Sequence, residues 1–213
     1  MDWIAETLGT AVGKKLLMAA SGLCFCVFLS AHLAGNLLLL SGADAFNGYA
    51  DKLQALGMVL RAAEAGLIVL ALVHVGTGLW LFYQNFQARP VRYKVKATAG
   101  GQTLASATMP YTGLVLLGFV VFHLLHFTFV DKTATGVYAL VAAAFSQPLV
   151  AGLYIAAVVV AGLHVSHGFW SAFQTLGLNH VKYFGLIRAA SLVFGLVVGA
   201  GFGFLPIYVG LAG

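Results

Sequence analysis

The segment His74-Val75-x-x-Gly78-Leu79-Trp80-x-x-Tyr83-Gln84 returns ninety residues later as His164-Val165-x-x-Gly168-Phe169-Trp170-x-x-Phe173-Gln174. A second segment, Ser21-Gly22-Leu23 followed by Phe28 and His32-Leu33, returns ninety-one residues later as Thr112-Gly113-Leu114, Phe119 and His123-Leu124. Each of the four lies in its own apolar run, so these runs read as two copies of a two-helix unit. The copies enter from the same side, which implies a pseudo-two-fold axis along the membrane normal.

The rest of the chain agrees with this reading. Of 213 residues, 61% are hydrophobic and 8% charged, against roughly 45–50% and about 25% in a soluble domain. So little charge cannot solvate a globule in water. It excludes a soluble enzyme domain, a nucleic-acid binder and a disordered regulator. The net charge of +5 comes from 11 basic and 6 acidic residues, a scarcity of acid rather than a basic patch, and no nucleic-acid partner is expected. Cys24 and Cys26 point about 200° apart on a helix, so they read as small apolar residues. Asp2 and Glu6 precede the first lysines, which is not the pattern of a cleavable leader.

Five runs are long enough to cross a bilayer, which takes about 20 helical residues. They cover roughly 16–40, 63–86, 110–130, 148–173 and 187–211. They are continuous rather than alternating, which predicts helices instead of barrel strands. Gly and Ala throughout permit close helix packing in lipid. The expected fold is all-α, an integral membrane bundle of five transmembrane helices forming one domain over 1–213. Its first four helices would make a core with internal pseudo-two-fold symmetry.

Charge sets the expected orientation. Lys14, Lys15, Arg89, Arg92, Lys94, Lys96, Lys182 and Arg188 flank one side; Lys52, Arg61 and Lys132 flank the other. The positive-inside rule then puts the N-terminus in the cytoplasm and the C-terminus outside. Asp44, Asp51, Glu64 and Asp131 fall on the outer side. Residues 87–109 read as a basic cytoplasmic loop, a candidate docking surface for a soluble redox subunit, and 174–186 as a short cytoplasmic link. In the outer link 41–62, Phe46, Tyr49, Leu53 and Leu56 recur at helical spacing and predict an interfacial helix.

Six of the seven histidines, His32, His74, His123, His126, His164 and His167, lie inside these spans, and only His180 lies in a loop. An ionisable side chain within a membrane is costly and marks function by default. The repeat matches His32 with His123 and His74 with His164. It sets His126 opposite Gly35 and His167 opposite Thr77, which reads them as supporting or packing residues. Helical rise places His32 and His123 about 12 Å below the outer edge, and His74 and His164 about 15–24 Å down. Two histidine pairs at two depths result.

Two imidazoles from different helices, with no Cys, Asp or Glu at matching positions, suit the axial positions of haem iron. Gly22, Gly78, Gly113 and Gly168 would let a flat ring approach the backbone. No C-x-x-C-H occurs, so thioether links are not expected. Structural zinc usually takes four ligands at one depth. Zincin, Walker and Rossmann patterns are absent. Two haems at different depths make an electron path, and the fitting partner inside the bilayer is a quinone. A histidine-based proton or metal transporter without haem is the alternative, though the spans carry few acids to support it. A haem-free structural anchor would leave the duplicated histidine motif unexplained.

At this point the chain resembles a known family, over almost its whole length. It is similar to the five-span, di-haem cytochrome b membrane-anchor subunit of succinate:quinone oxidoreductases, the succinate dehydrogenases and menaquinol-dependent fumarate reductases. The resemblance rests on Ser21-Gly22…His32, Gly42-Ala43-Asp44-Ala45-Phe46-Asn47, His74, Thr112-Gly113…His123 and His164-x-x-x-Gly168-x-Trp170-Ser171. It implies two haem b, with His32 and His123 as iron ligands of the distal haem and His74 and His164 of the proximal one. It implies a flavoprotein subunit that holds the succinate or fumarate site, and an iron–sulfur subunit, both on the cytoplasmic side. This chain would then be the quinone-reactive subunit in the cytoplasmic (inner) membrane, with menaquinone or another quinone as substrate and no succinate or fumarate site of its own. The family's quinone site is often near the distal haem, where the polar candidates are Asn36, Asp44, Asn47 and Glu64. Some fumarate reductases of the family carry a Glu two residues before the fourth haem ligand as a proposed proton route. Here that position is Gly162.

Overall fold

The computed structural model describes residues 2–88, 103–130 and 136–212. Eight α-helices follow in order among them: α1 Asp2–Gly9, α2 Ala11–Asn36, α3 Ala43–Ala55, α4 Met58–Gln87, α5 Leu104–His123, α6 Gly136–Phe145, α7 Pro148–Thr175 and α8 Val181–Ala212. A 3-10 turn, Leu37–Ser41, extends α2, and a π-turn, Leu124–Thr128, extends α5. Among the described residues there is no strand. Five helical stretches are long and apolar enough to cross a membrane: Ala11–Ser41, Met58–Gln87, Leu104–Thr128, Pro148–Thr175 and Val181–Leu211. They match the five expected spans, so the chain is an all-helical protein of multi-pass membrane type. Arg89, Arg92, Lys94 and Lys96 of the basic loop, and Asp131 and Lys132, lie outside the described residues.

Local chemistry sets the helix ends. The Thr10 hydroxyl accepts the Gly13 N–H at 3.0 Å and starts α2. Thr103 and Ser106 exchange side-chain and backbone hydrogen bonds at the start of α5, a reciprocal cap that satisfies two otherwise orphaned amides. Pro148 opens α7, where its missing N–H costs nothing. The stretch expected to be an interfacial helix is α3, bounded by Gly42 (φ 91°) and Gly57 (φ 53°). Only glycine adopts such values without strain, so both ends turn sharply. The short helices α1 and α6 were not anticipated.

α2 packs on α4, α4 on α5, α5 on α7, and α7 back on α2. These four helices close a ring, and α8 packs outside it against α7 and α2. Packing is uneven around the ring. α4 has one buried residue, Leu81, and α5 has none. The tight seam is α7 with α8. A Cβ on Gly162 would meet the Gly195 carbonyl oxygen at 2.7 Å, and one on Gly195 would meet the Gly162 oxygen at 2.6 Å. Glycine spacing lets the two backbones touch, as membrane helix pairs allow. Ser191 of α8, fully buried, bridges the Trp170 N–H (3.2 Å) and the Ser166 carbonyl of α7.

One apolar cluster gathers Leu39, Phe46, Phe145, Tyr154, Leu205 and Val209 at the end of the ring that carries α3 and α6. We call this the capped end, and the end carrying Lys14 and Lys15 the open end.

Candidate functional site

The four repeat-matched histidines come from the four ring helices: His32 from α2, His74 from α4, His123 from α5 and His164 from α7. The partners of each expected pair, α2 with α5 and α4 with α7, alternate around the ring. Near the capped end, the His32 and His123 rings stand 6.0 Å apart between centroids, at 84° to each other. His74 and His164 lie toward the open end, on the facing helices α4 and α7.

The open-end histidines are held in matching ways. Ser21 Oγ lies 3.1 Å from His74 Nδ1, and Thr112 Oγ1 lies 3.0 Å from His164 Nδ1. A hydroxyl has one proton to give. Ser21 is bonded to the Leu17 carbonyl at 2.7 Å, and Thr112 to the Thr108 and Met109 carbonyls at 3.1 Å each. When that proton goes to the carbonyl, each hydroxyl accepts from the imidazole, an arrangement that would put the histidine proton on Nδ1 and leave the lone pair on Nε2.

The glycines next to those hydroxyls complete the pattern. A Cβ on Gly22 would stand 3.3 Å from His74 Cε1, and one on Gly113 would stand 3.5 Å from His164 Cε1. The side chain that approaches the backbone there is the imidazole. Gly78 and Gly168 face Met18 and Met109, where a Cβ would come within 3.7 and 4.0 Å.

The capped-end histidines have unlike surroundings. His32 stacks on Phe28 (5.2 Å) and meets Phe202 (5.5 Å). Asn36 Nδ2 donates to the His32 carbonyl at 2.8 Å and lies 3.4 Å from His32 Nδ1. His123 lies among Phe119, Phe127 and Tyr154, with the Tyr154 hydroxyl 3.4 Å from its Nδ1. The same hydroxyl is 3.3 Å from His126 Nδ1. Tyr154 had no place in the sequence reading.

No family model, curated protein or solved structure matches the chain.

The four quinone candidates have separate surroundings. Asn36 serves the backbone of His32. Asn47 Oδ1 accepts the Tyr138 N–H at 2.9 Å and so satisfies the first turn of α6. Asp44 sits exposed in the first turn of α3, where the helix dipole favours an acid. Glu64 pairs with Arg61 at 2.7 Å. No hydrogen bond or ion pair joins any two of the four.

His167 packs edge-on against Trp170 at 5.1 Å, and its buried Nδ1 makes no hydrogen bond. Among the described residues, no three His, Cys, Asp or Glu side chains gather so as to hold a metal ion by themselves. At Gly162 the Gly195 carbonyl occupies the space of even a methyl group, so α7 has no room there for a carboxylate.

Proposed function

We propose that the chain is the di-haem b membrane-anchor subunit of a succinate:quinone oxidoreductase or quinol:fumarate reductase. It would pass electrons between a quinone, menaquinone or a relative of it, and iron–sulfur and flavoprotein subunits docked at its cytoplasmic face, in the cytoplasmic membrane. The four ring helices would form the haem core with pseudo-two-fold symmetry. The observation that carries the reading is the duplicated hydroxyl–imidazole bond. Ser21 and Thr112, equivalent in the repeat, would fix His74 and His164 in the tautomer that offers Nε2 to a metal. A ligand histidine generally has its other nitrogen held in this way.

The donor set fits haem better than a bare ion. Porphyrin supplies four nitrogens and asks the protein for two, and each level offers two imidazoles. His32 and His123, with ring centroids 6.0 Å apart, would hold one such group between them. When bound, haem supplies one-electron exchange at two depths. The protein's share is to hold the His74 and His164 imidazoles through Ser21 and Thr112 and to surround all four imidazoles with apolar spans. His74 and His164, toward the open end, would serve the proximal position, and His32 and His123 the distal one.

The test is the dithionite-reduced minus oxidised absorption spectrum of the purified chain or complex, with haem and protein quantified together. Two b haems per chain are expected, falling to one in His74→Ala. A preparation from haem-sufficient cells that folds but has no haem band refutes the reading.

A further inference from the structure

His126 and Tyr154 have no part in the reading above, and they meet next to a proposed ligand. The π-turn Leu124–Thr128 begins one residue after His123. Its wider turn swings His126 further round the axis from His123 than an α-turn would, and π-turns recur at functional positions. The two imidazoles therefore reach one hydroxyl from different sides. Tyr154 is 5% exposed and wedged among Phe119 (5.1 Å), Phe145 (5.2 Å) and Phe127 (5.6 Å). Its ring cannot turn away, and a buried hydroxyl needs a partner.

We infer that Tyr154 is the positioning residue for His123, held in turn by His126, in a directed chain His123 Nδ1–H to Tyr154 Oη–H to His126 Nδ1. This rests on His123 ligating iron through Nε2. That ligation requires the His123 proton on Nδ1, so the Tyr154 oxygen accepts it. The tyrosine proton then has one place to go, His126 Nδ1, whose own proton must sit on Nε2. The opposite direction would put a proton on His123 Nε2 and block the ligand. His126 thus sets which way Tyr154 points. Tyr154 sets the tautomer, ring angle and basicity of His123, as outer partners do for metal-bound imidazoles. Hydrogen bonds in such a chain strengthen one another. Asn36 cannot do the same for His32, because its amide faces Nδ1 with a donor. The capped-end centre is therefore tuned from one ligand only.

The experiment is a redox titration with low-temperature EPR of the membrane-bound complex, comparing wild type, Tyr154→Phe, His126→Leu and His126→Gln. Tyr154→Phe keeps the ring and the fold but removes the chain. The expected result is two haems retained, with one midpoint potential raised and one low-spin EPR signal moved, while the second centre stays unchanged. A less basic ligand stabilises ferric iron less, which gives the upward sign. His126→Leu should shift the same centre less, and His126→Gln, whose amide oxygen still accepts from the tyrosine, should restore the wild-type signal. A Tyr154→Phe protein with two haems and both signals at wild-type values overturns the inference and leaves the function reading standing. Movement of both centres equally also overturns it. Wild type without haem fails the function reading itself.

Discussion

The two histidine pairs are built from copies of the same sequence, yet only one pair keeps matching surroundings. At the open end, Ser21 and Thr112 hold His74 and His164 at 3.1 and 3.0 Å, and a glycine beside each hydroxyl faces the imidazole. At the capped end, His32 faces an asparagine amide, while His123 faces the shared hydroxyl of Tyr154. The repeat register, offset by ninety residues between α4 and α7 and by ninety-one between α2 and α5, shows where the copies parted. Tyr154 falls opposite Glu64, and His126 falls opposite Gly35, where the Tyr49 hydroxyl presses on the helix backbone. On the proposed function, matching halves at the open end would suit a relay that only passes electrons, and divergence at the capped end a centre whose two ligands need not be equivalent.

The sharpest way to break this contrast is to remove one open-end hydroxyl. Thr112→Val keeps shape and deletes the acceptor for His164 Nδ1. Loss of an outer partner typically costs 10- to 100-fold in metal affinity, so the proximal haem should wash out first on dilution or detergent exchange. Thr112→Ser should retain it. The measurement is haem per chain by pyridine haemochrome after repeated exchange. If Thr112→Val retains both haems as firmly as wild type, the hydroxyl pair is packing, and the contrast between the two ends loses its meaning.

Much of this arrangement was legible in the sequence. The spans follow from apolar runs, and the four matched histidines from self-comparison. The hydroxyls were visible as Ser21-Gly22 and Thr112-Gly113 at a constant offset, but their role was not. A tautomer depends on where a hydroxyl's single proton goes, and that needs the Leu17, Thr108 and Met109 carbonyls in place. Tyr154 was missed because it has no twin in the repeat, and its partners lie 28 and 31 residues away. Asn47 read as a polar candidate near the outer loop. Its Oδ1 also accepts the Tyr138 N–H 91 residues on, and α6, ten residues long, gave no span-like signal. Composition and periodicity report local tendencies, whereas these bonds are made by tertiary contact.

A second prediction concerns α7, which carries His164 and Tyr154 and so serves both pairs. Gly162→Ala would drive a methyl into the Gly195 carbonyl at 2.7 Å, with the Gly199 Cα at 3.4 Å on the same helix, α8. Backbone cannot yield as a side chain does, so the α7–α8 seam should open at a cost of about 1–3 kcal/mol. Gly152, on the same helix with nothing within 4 Å of its Cβ position, is the control. Thermal unfolding in detergent should show a lower midpoint for Gly162→Ala and none of that loss for Gly152→Ala. Haem should be lost from both levels together. Loss confined to the proximal haem would mean the two ends do not share α7 as a common support.

The smallest expected effect tests whether Glu64 adds anything beyond its ion pair. The Arg61 and Glu64 side chains are 61% and 39% exposed, and such pairs contribute about 0–1 kcal/mol. Glu64→Gln and Arg61→Gln break the same pair, so if the pair is all that matters, both should lower the unfolding midpoint slightly and equally and leave quinone-linked electron transfer unchanged. A carboxylate exchanging protons with quinone would part the two variants. Glu64→Gln would then slow quinone reduction while Arg61→Gln would not. That outcome would put an acid of the first copy to work in the very position where the second copy has Tyr154. The divergence at the capped end would become a division of labour, with one half handling protons and the other setting the iron ligand. Equal behaviour of the two variants instead confines the functional difference between the ends to the chain from His123 to His126.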